Sequence, residues 1–303
     1  MGSATSFWEN IAQTPLQIVE DPVFIERGIQ FYIKRDDLIH PLVSGNKWRK
    51  LKYNFLEAEK LGFDTLLTFG GAYSNHIAAV AAAGQATGFS TIGIIRGEEL
   101  NETVNPTLRF AASCGMKLVF VSRSTYKDKE LLAQPYGQGC YVIPEGGSNA
   151  LAAKGVAEVV AEIQTQLNKP FDFLCTPLGT GGTAAGLVVG KAKNVLVFPS
   201  LKITKEEAKA MIENHLSGED SIIEVLTNYH FGGYGKANDV LWDFIEMFNH
   251  QTHIPLERVY TGKMMFGLYD LLKKGYFKTG SVIVALHTGG LQGRFENSRN
   301  LKI

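Results

Sequence analysis

The chain has 303 residues, with 30 Lys+Arg balanced by 30 Asp+Glu, and so no formal net charge at pH 7. Its 45% hydrophobic and 20% charged residues are the composition of a globular protein and too apolar for a disordered one. A neutral chain has no overall field to draw phosphate backbones, which argues against a general nucleic-acid binder. No stretch approaches the roughly 18–20 uninterrupted apolar residues of a membrane helix.

In chain order, Met1–Asn10 lacks a basic start and an apolar run, so it does not read as a secretory signal. Lys47–Leu61 predicts a helix with Trp48, Leu51, Phe55 and Ala58 along it, closed by Gly62. Thr65–Phe69 predicts a strand, Ile77–Thr87 an Ala-rich helix ending at Gly88, and Thr91–Ile95 the next strand. Helix Pro106–Ser113 and strands Lys117–Val121 and Tyr141–Ile143 follow, then a long helix, Ala150–Leu167, capped by Ser148 or Asn149. Beyond it lie strands Phe171–Cys175 and Val195–Phe198, helix Thr204–Leu216, strand Ile222–Leu226, helices Ala237–Phe248 and Lys263–Lys273, and strand Ser281–Leu286. The strands are near-continuous apolar runs, which fits a parallel sheet buried on both faces. Their alternation with helices implies an open α/β sheet with right-handed crossovers. At roughly 100–200 residues per domain the length suggests two domains, but no Pro/Gly/Ser linker sets them end to end.

The three cysteines, Cys114, Cys140 and Cys175, form no C-x-x-C pair and read as free thiols in a reducing cytoplasm. His40, His215, His230, His250 and His253 have no paired metal-ligand spacing, so no metal site is expected. The 32 glycines, about 11% of the chain against a usual ~7%, are the compositional oddity.

Ligands of open α/β sheets bind at the carboxyl ends of strands and at helix N-termini. Three such places stand out. After the Phe171–Cys175 strand comes Pro177-Leu178-Gly179-Thr180-Gly181-Gly182-Thr183, whose glycines can gather N–H groups at a helix start. It reads as a phosphate cradle, with a tight packing turn as the alternative, and it is neither a P-loop nor a clean dinucleotide fingerprint. Gly70-Gly71-Ala72-Tyr73-Ser74-Asn75-His76 crowds three polar side chains at another helix start, where ordinary capping is an equal reading. Ser44-Gly45-Asn46-Lys47-Trp48-Arg49-Lys50 puts Lys47 at a helix N-terminus, where the dipole disfavours its charge. A lysine that loses its charge is a nucleophile toward carbonyls; a solvated basic face is the alternative.

Together these motifs resemble the pyridoxal-phosphate enzymes with a tryptophan-synthase-β-like fold, and among them the D-cysteine desulfhydrase and 1-aminocyclopropane-1-carboxylate deaminase group. The resemblance runs from about Lys34 to Gly290 and rests on Asn46-Lys47-Trp48-Arg49-Lys50, the Ser74-Asn75-His76 turn, Tyr234-Gly235, Tyr260-Thr261-Gly262-Lys263 and His287-Thr288-Gly289-Gly290. It implies an α/β protein with two open, mainly parallel sheets and pyridoxal 5'-phosphate between them. The large domain would comprise residues 1–48 and 155–303, and the inserted small domain residues 49–154. Lys47 would form the Schiff base; Lys50 and the loop Gly179, Thr180, Gly181, Gly182 and Thr183 would hold the phosphate. Asn75 would bond the ring hydroxyl, and Ser74 the substrate carboxylate. Tyr260 and Tyr234 would lie at the ring and substrate, and Thr261 would face the pyridine nitrogen. Gly45, Gly70, Gly71, Gly262, Gly289 and Gly290 would join the loop glycines around the cofactor. A cytoplasmic homodimer acting on a small amino acid is implied as well.

The chain departs from that pattern at Tyr73, where the family has Gln, and at Ala78 and Ala79, where Arg-Gln is common; the segment from Gly190 to Pro199 is also short. The resemblance implies that these changes leave the cofactor grip intact and bear on the identity of the substrate, which that loop would face. In the resembled group the cyclopropane enzyme has Glu where Thr261 stands and the D-cysteine enzyme has Thr. An uncharged hydroxyl supports α,β-elimination of a good leaving group over ring opening. The expected products are a keto acid and ammonia from D-cysteine or a similar substrate, with cyclopropane deamination as the alternative. Rivals are a serine/threonine dehydratase or cysteine-synthase-like enzyme, a catalytically silent cofactor-binding protein, and a nucleotide binder resting on the glycine loop alone.

Overall fold

A computed structural model describes residues 3–9, 11–216, 218 and 222–291. Met1, Gly2 and Asn10, part of the stretch read against a signal, lie outside the described residues. The α/β expectation holds, and the two mainly parallel sheets are present.

The smaller sheet is built from one continuous stretch. Its strands are β3 (Thr65–Gly71), β4 (Ser90–Arg96), β5 (Lys117–Val121) and β6 (Tyr141–Ile143), in the order β5-β4-β3-β6 and all parallel. The larger sheet joins β1 (Leu16–Ile18) and β2 (Gln30–Lys34) to β7 (Phe173–Leu178), β8 (Asn194–Pro199), β9 (Ile222–Val225) and β10 (Val282–Leu286). Its order is β1-β2-β10-β7-β8-β9, so the last strand lies near the centre, between β2 and β7. The β1–β2 pair alone is antiparallel. Every residue of β10 is buried, as a two-sided apolar run requires. Cys175 is buried within β7, while Cys114 and Cys140 are part-buried.

Eleven α-helices are described: α1 (Ala4–Glu9), α2 (Pro22–Ile25), α3 (Asn46–Lys60), α4 (Asn75–Thr87), α5 (Pro106–Ser113), α6 (Lys129–Ala133), α7 (Ala150–Leu167), α8 (Gly182–Val189), α9 (Lys205–Glu213), α10 (Asp239–Thr252) and α11 (Thr261–Lys273). Each predicted helix and strand is present, with ends moved by up to four residues. Strand β2 and the short β1 were not predicted. Gln30-Phe31-Tyr32-Ile33-Lys34 alternates weakly and ends in a charge that reads as a surface residue, whereas Lys34 is fully buried.

That lysine belongs to a buried ionic cluster joining the elements around the site. Arg49 of α3 donates Nε to Asp36 Oδ2 at 2.6 Å and Nη1 to Glu162 Oε1 at 2.8 Å. Lys34 Nζ reaches Glu162 Oε2 at 2.8 Å, and Thr14 donates its hydroxyl to Asp36 Oδ1 at 2.7 Å. Two cations face two carboxylates, each with further hydrogen bonds, which is the condition under which buried charge is tolerated. The cluster fastens α3 to α7 and to the chain just after β2. The solvated basic face considered for Lys47–Lys50 is therefore absent: Arg49 and Lys50 are buried.

Gly45 precedes α3 with φ +65°, and a Cβ there would stand 1.9 Å from the Thr288 carbonyl oxygen. Only glycine allows the loop after β10 to run against the start of α3.

Candidate active site

Parallel strands send their carboxyl ends to one side. A cavity of about 560 Å³ opens where the ends of β3, β4, β6, β7 and β10 meet the N-termini of α3, α4 and α8. That volume suits a small organic molecule, for which roughly 300–1,000 Å³ is usual.

One end of the cavity gathers anion donors. Lys50 lies one turn into α3, buried, with Nζ 2.9 Å from Ser148 Oγ, 3.1 Å from the Gly146 carbonyl and 3.5 Å from Thr180 Oγ1. Ser148 and Thr180 are themselves 2.6 Å apart. Asn46 donates to Thr183 Oγ1 at 2.8 Å. The first N–H groups of α8 lack helical partners and carry the positive dipole end. A Cβ on Gly182 would fall 2.6 Å from Ser148 Oγ and 3.1 Å from Lys50 Nζ, so the cradle closes only around glycine. Burial and then the nearby Lys47 charge push the Lys50 amine well below its ordinary value, which an anionic ligand would reverse.

Lys47, the second residue of α3, lines the same cavity, and burial lowers its amine from 10.5 to about 8. The neutral, nucleophilic form therefore predominates from about pH 8 upward instead of above 10.5. Capture of an added aldehyde by Lys47 is expected to quicken with rising pH and level off just above pH 8. Adduct absorbance followed across that range checks this; a rate still climbing beyond pH 10.5 would contradict it.

The loop after β3 supplies the polar rim. Ser74 caps α4, accepting the Ile77 N–H at 3.3 Å, and both Ser74 and Asn75 line the cavity, so capping does not withdraw this turn from the ligand space. His76 is buried with Nε2 2.7 Å from Thr68 Oγ1, while its Nδ1 is buried without a partner among the described residues. Burial and the Lys47 and Lys50 charges hold this imidazole well below its ordinary value, hence neutral.

The segment before α11 differs from expectation. Tyr260 lines the cavity, and burial lifts its phenol well above the ordinary value, so it stays protonated and can donate. Thr261 is fully buried and is not among the cavity-lining residues. Its hydroxyl donates to Glu257 Oε1 at 3.1 Å and accepts the Glu257 N–H at 3.2 Å. Glu257 also accepts the backbone N–H groups of Val259, Tyr260 and Thr261 at 2.5, 2.9 and 2.6 Å. This carboxylate is consumed in shaping the turn that presents Tyr260. Lys263 is likewise buried away from the cavity and donates to the carbonyls of His230 and Gly233 at 2.9 and 2.7 Å, holding the loop that carries Tyr234. Tyr234 lines the cavity, its ring 6.0 Å from that of Tyr260 and edge-on to it.

Of the residues singled out from the sequence, Lys47, Lys50, Ser74, Asn75, Gly179, Thr180, Gly181, Thr183, Tyr234 and Tyr260 line this one cavity. Gly182 stands one layer behind, and so do Gly45, Gly70 and Gly262, whose missing side chains allow close packing and do not face the ligand space. Gly71, Gly289 and Gly290 do reach the cavity. Sequence reasoning missed Arg96, Glu145, Gly146 and Ser148. Arg96 is a lone charge at a strand end, Glu145 and Gly146 belong to a Gly146-Gly147 turn after a three-residue strand that was not weighed as a ligand loop, and Ser148 was read only as a helix cap, a place that Asn149 takes.

Two parallel sheets meeting at a cavity with a phosphate-type cradle and a lysine of lowered proton affinity define an enzyme that carries a phosphorylated carbonyl cofactor. The chain belongs to the family of pyridoxal-phosphate-dependent enzymes, whose sequence model matches residues 7–289. It is 31% identical to a Pyrococcus abyssi protein named "Putative 1-aminocyclopropane-1-carboxylate deaminase" over 93% of this chain and 91% of that one. A Thermotoga maritima protein of the same name is 30% identical over 96% and 98%. Among solved structures, one described as an ACC deaminase homologue superposes with a TM-score of 0.80 at 29% identity, covering 94% of this chain and 91% of that one. A fungal L-serine ammonia-lyase from Rhizomucor miehei, at 17% identity and a TM-score of 0.68, shares the fold.

Proposed function

We propose that the chain is a lyase that eliminates a β-substituent from a small amino acid, D-cysteine or a similar substrate, to give a keto acid and ammonia. The observation that carries this reading is the fate of Glu257. Its carboxylate is satisfied by three backbone N–H groups and the Thr261 hydroxyl, and it does not line the cavity. The one carboxylate among the described cavity-lining residues, Glu145, pairs with Lys129 at 3.1 Å. No free acid is therefore presented to a bound ring, and expulsion of a good leaving group asks less of the ring than opening a cyclopropane.

The residues fit pyridoxal phosphate. Lys50, Ser148, Thr180, Thr183 and the start of α8 would hold its phosphate, and the Gly182 cradle leaves no room for a side chain at that end. When bound, the group supplies an aldehyde for amines and a ring that withdraws electrons from the α-carbon. Lys47 would carry it covalently and, displaced by the substrate amine, take the α-proton. Ser74, at the N-terminus of α4, would bind the substrate carboxylate, helped by the helix dipole. Asn75 would orient the ring through its hydroxyl. Tyr260, kept protonated by burial, would pass a proton to the departing sulfur, with Tyr234 closing the substrate side. The released aminoacrylate hydrolyses in water.

The same reading has a large unit, residues 1–48 and 155–303, a small one, residues 49–154, and a cytoplasmic homodimer as the working form. Assay of the purified protein with D-cysteine, L-cysteine, D-serine and 1-aminocyclopropane-1-carboxylate is the test. Release of hydrogen sulfide or pyruvate from cysteine is expected; turnover of the cyclopropane substrate alone would overturn the elimination reading.

A further inference from the structure

Beyond the residues already given roles, the cavity holds one cation with no assignment. Arg96 is the last residue of β4, in register opposite Gly71 at the carboxyl edge of the small sheet. Its Nη2 comes within 3.6 Å of the place a Cβ on Gly71 would occupy, so the arm lies across the start of the loop that carries Ser74 and Asn75. The guanidinium stands 5.7 Å from the centre of the Tyr126 ring, and Lys129 Nζ stands 4.8 Å from the same ring. Arg96 is exposed at the cavity edge, and its cation–π contact with the buried Tyr126 ring leaves its donors unused.

The other charges of the cavity are taken. Lys47 would carry the cofactor, Lys50 sits in the phosphate cradle, and Glu145 pairs with Lys129. Among the described residues no carboxylate pairs with Arg96. Its five donors remain for a ligand, and their planar fork matches carboxylate, phosphate or sulfonate. The α-carboxylate already has the N-terminus of α4, so a second anionic group is the complementary partner.

From this, resting on the elimination reading, we propose that Arg96 is a specificity-determining residue. It selects β-substituted alanines whose leaving group carries its own negative charge, a phosphate ester or a sulfonate. In such a reaction Lys47 takes the α-proton and the Cβ–O or Cβ–S bond breaks. The electron pair departs with phosphate or sulfite, and the remaining aminoacrylate takes up water to give pyruvate and ammonia.

The test compares the holoenzyme with Arg96→Gln and Arg96→Lys on both enantiomers of O-phosphoserine, cysteate and cysteine. Two quantities are read: kcat/KM, and the substrate concentration that half-shifts the cofactor's visible band. For one enantiomer series of the unaltered enzyme, the anionic substrates should be preferred. In Arg96→Gln the ratio of anionic to cysteine kcat/KM should fall about 10- to 100-fold, mostly through KM, with Arg96→Lys between. Equal losses on all substrates would make Arg96 an α-carboxylate ligand and overturn the proposal, as would an unchanged ratio. A protein that binds the cofactor and shifts its band with anionic substrates, but eliminates nothing, would sink the elimination reading while leaving selection by Arg96 measurable as binding.

Discussion

Lys47→Ala is expected to abolish covalent attachment of the cofactor and to lower turnover by on the order of 10³-fold or more, since nucleophile and α-carbon base are lost together. The visible band of the purified protein, and its removal by hydroxylamine, should disappear. The phosphate cradle is untouched by the change: Lys50, Ser148 and Thr180 bond one another and not Lys47. The variant should therefore still bind the cofactor non-covalently, measurable by equilibrium dialysis. A Lys47→Ala protein with an unchanged, hydroxylamine-sensitive band would refute the assignment.

Arg49→Met should be the most destabilising single change near the site, by about 3–5 kcal/mol. It strands Asp36, fully buried, and half of the charge on Glu162, leaving Lys34 to balance two carboxylates. Urea unfolding of the cofactor-free protein gives the measurement. Arg49→Met combined with Asp36→Leu should recover most of the loss, because the uncompensated charge, more than the missing attraction, accounts for it. A loss under about 1 kcal/mol for the single variant would mean that water reaches the cluster.

The glycine loop, the Ser74-Asn75 turn and the Lys47 helix start were legible because each couples a local signal, a strand end or a cap, to chemistry. Element periodicity carried most of the fold for the same reason: strands such as Val282–Leu286 are buried on both faces, and their composition says so. Strand β2 was hidden by Lys34, whose partners lie on α7 and near Thr14, far away in sequence. The setting of Thr261 was not legible because it depends on Glu257, a carboxylate that reads as a surface residue until the turn around it is seen. Arg96 carried no signal at all. A charge after an apolar strand is ordinary, and only the convergence of β3 and β4 at the cavity gives it a use.

The central place of β10 bears on how the chain is made. At roughly 5–20 residues per second a ribosome completes the stretch from β3 to β6 early, and the small sheet has all its strands in hand. Strand β2 waits for a partner about 250 residues later, an interval of roughly 13–50 s. Until β10 arrives, β2, and β7 once it has been made, each offer an apolar edge that β10 will occupy, the kind of edge that invites pairing with another nascent chain. The closing strand thus makes Val282–Leu286 decisive for completing the large sheet. Ribosome pausing or premature termination ahead of Val282 leaves the large sheet split at its middle while the small sheet is already whole.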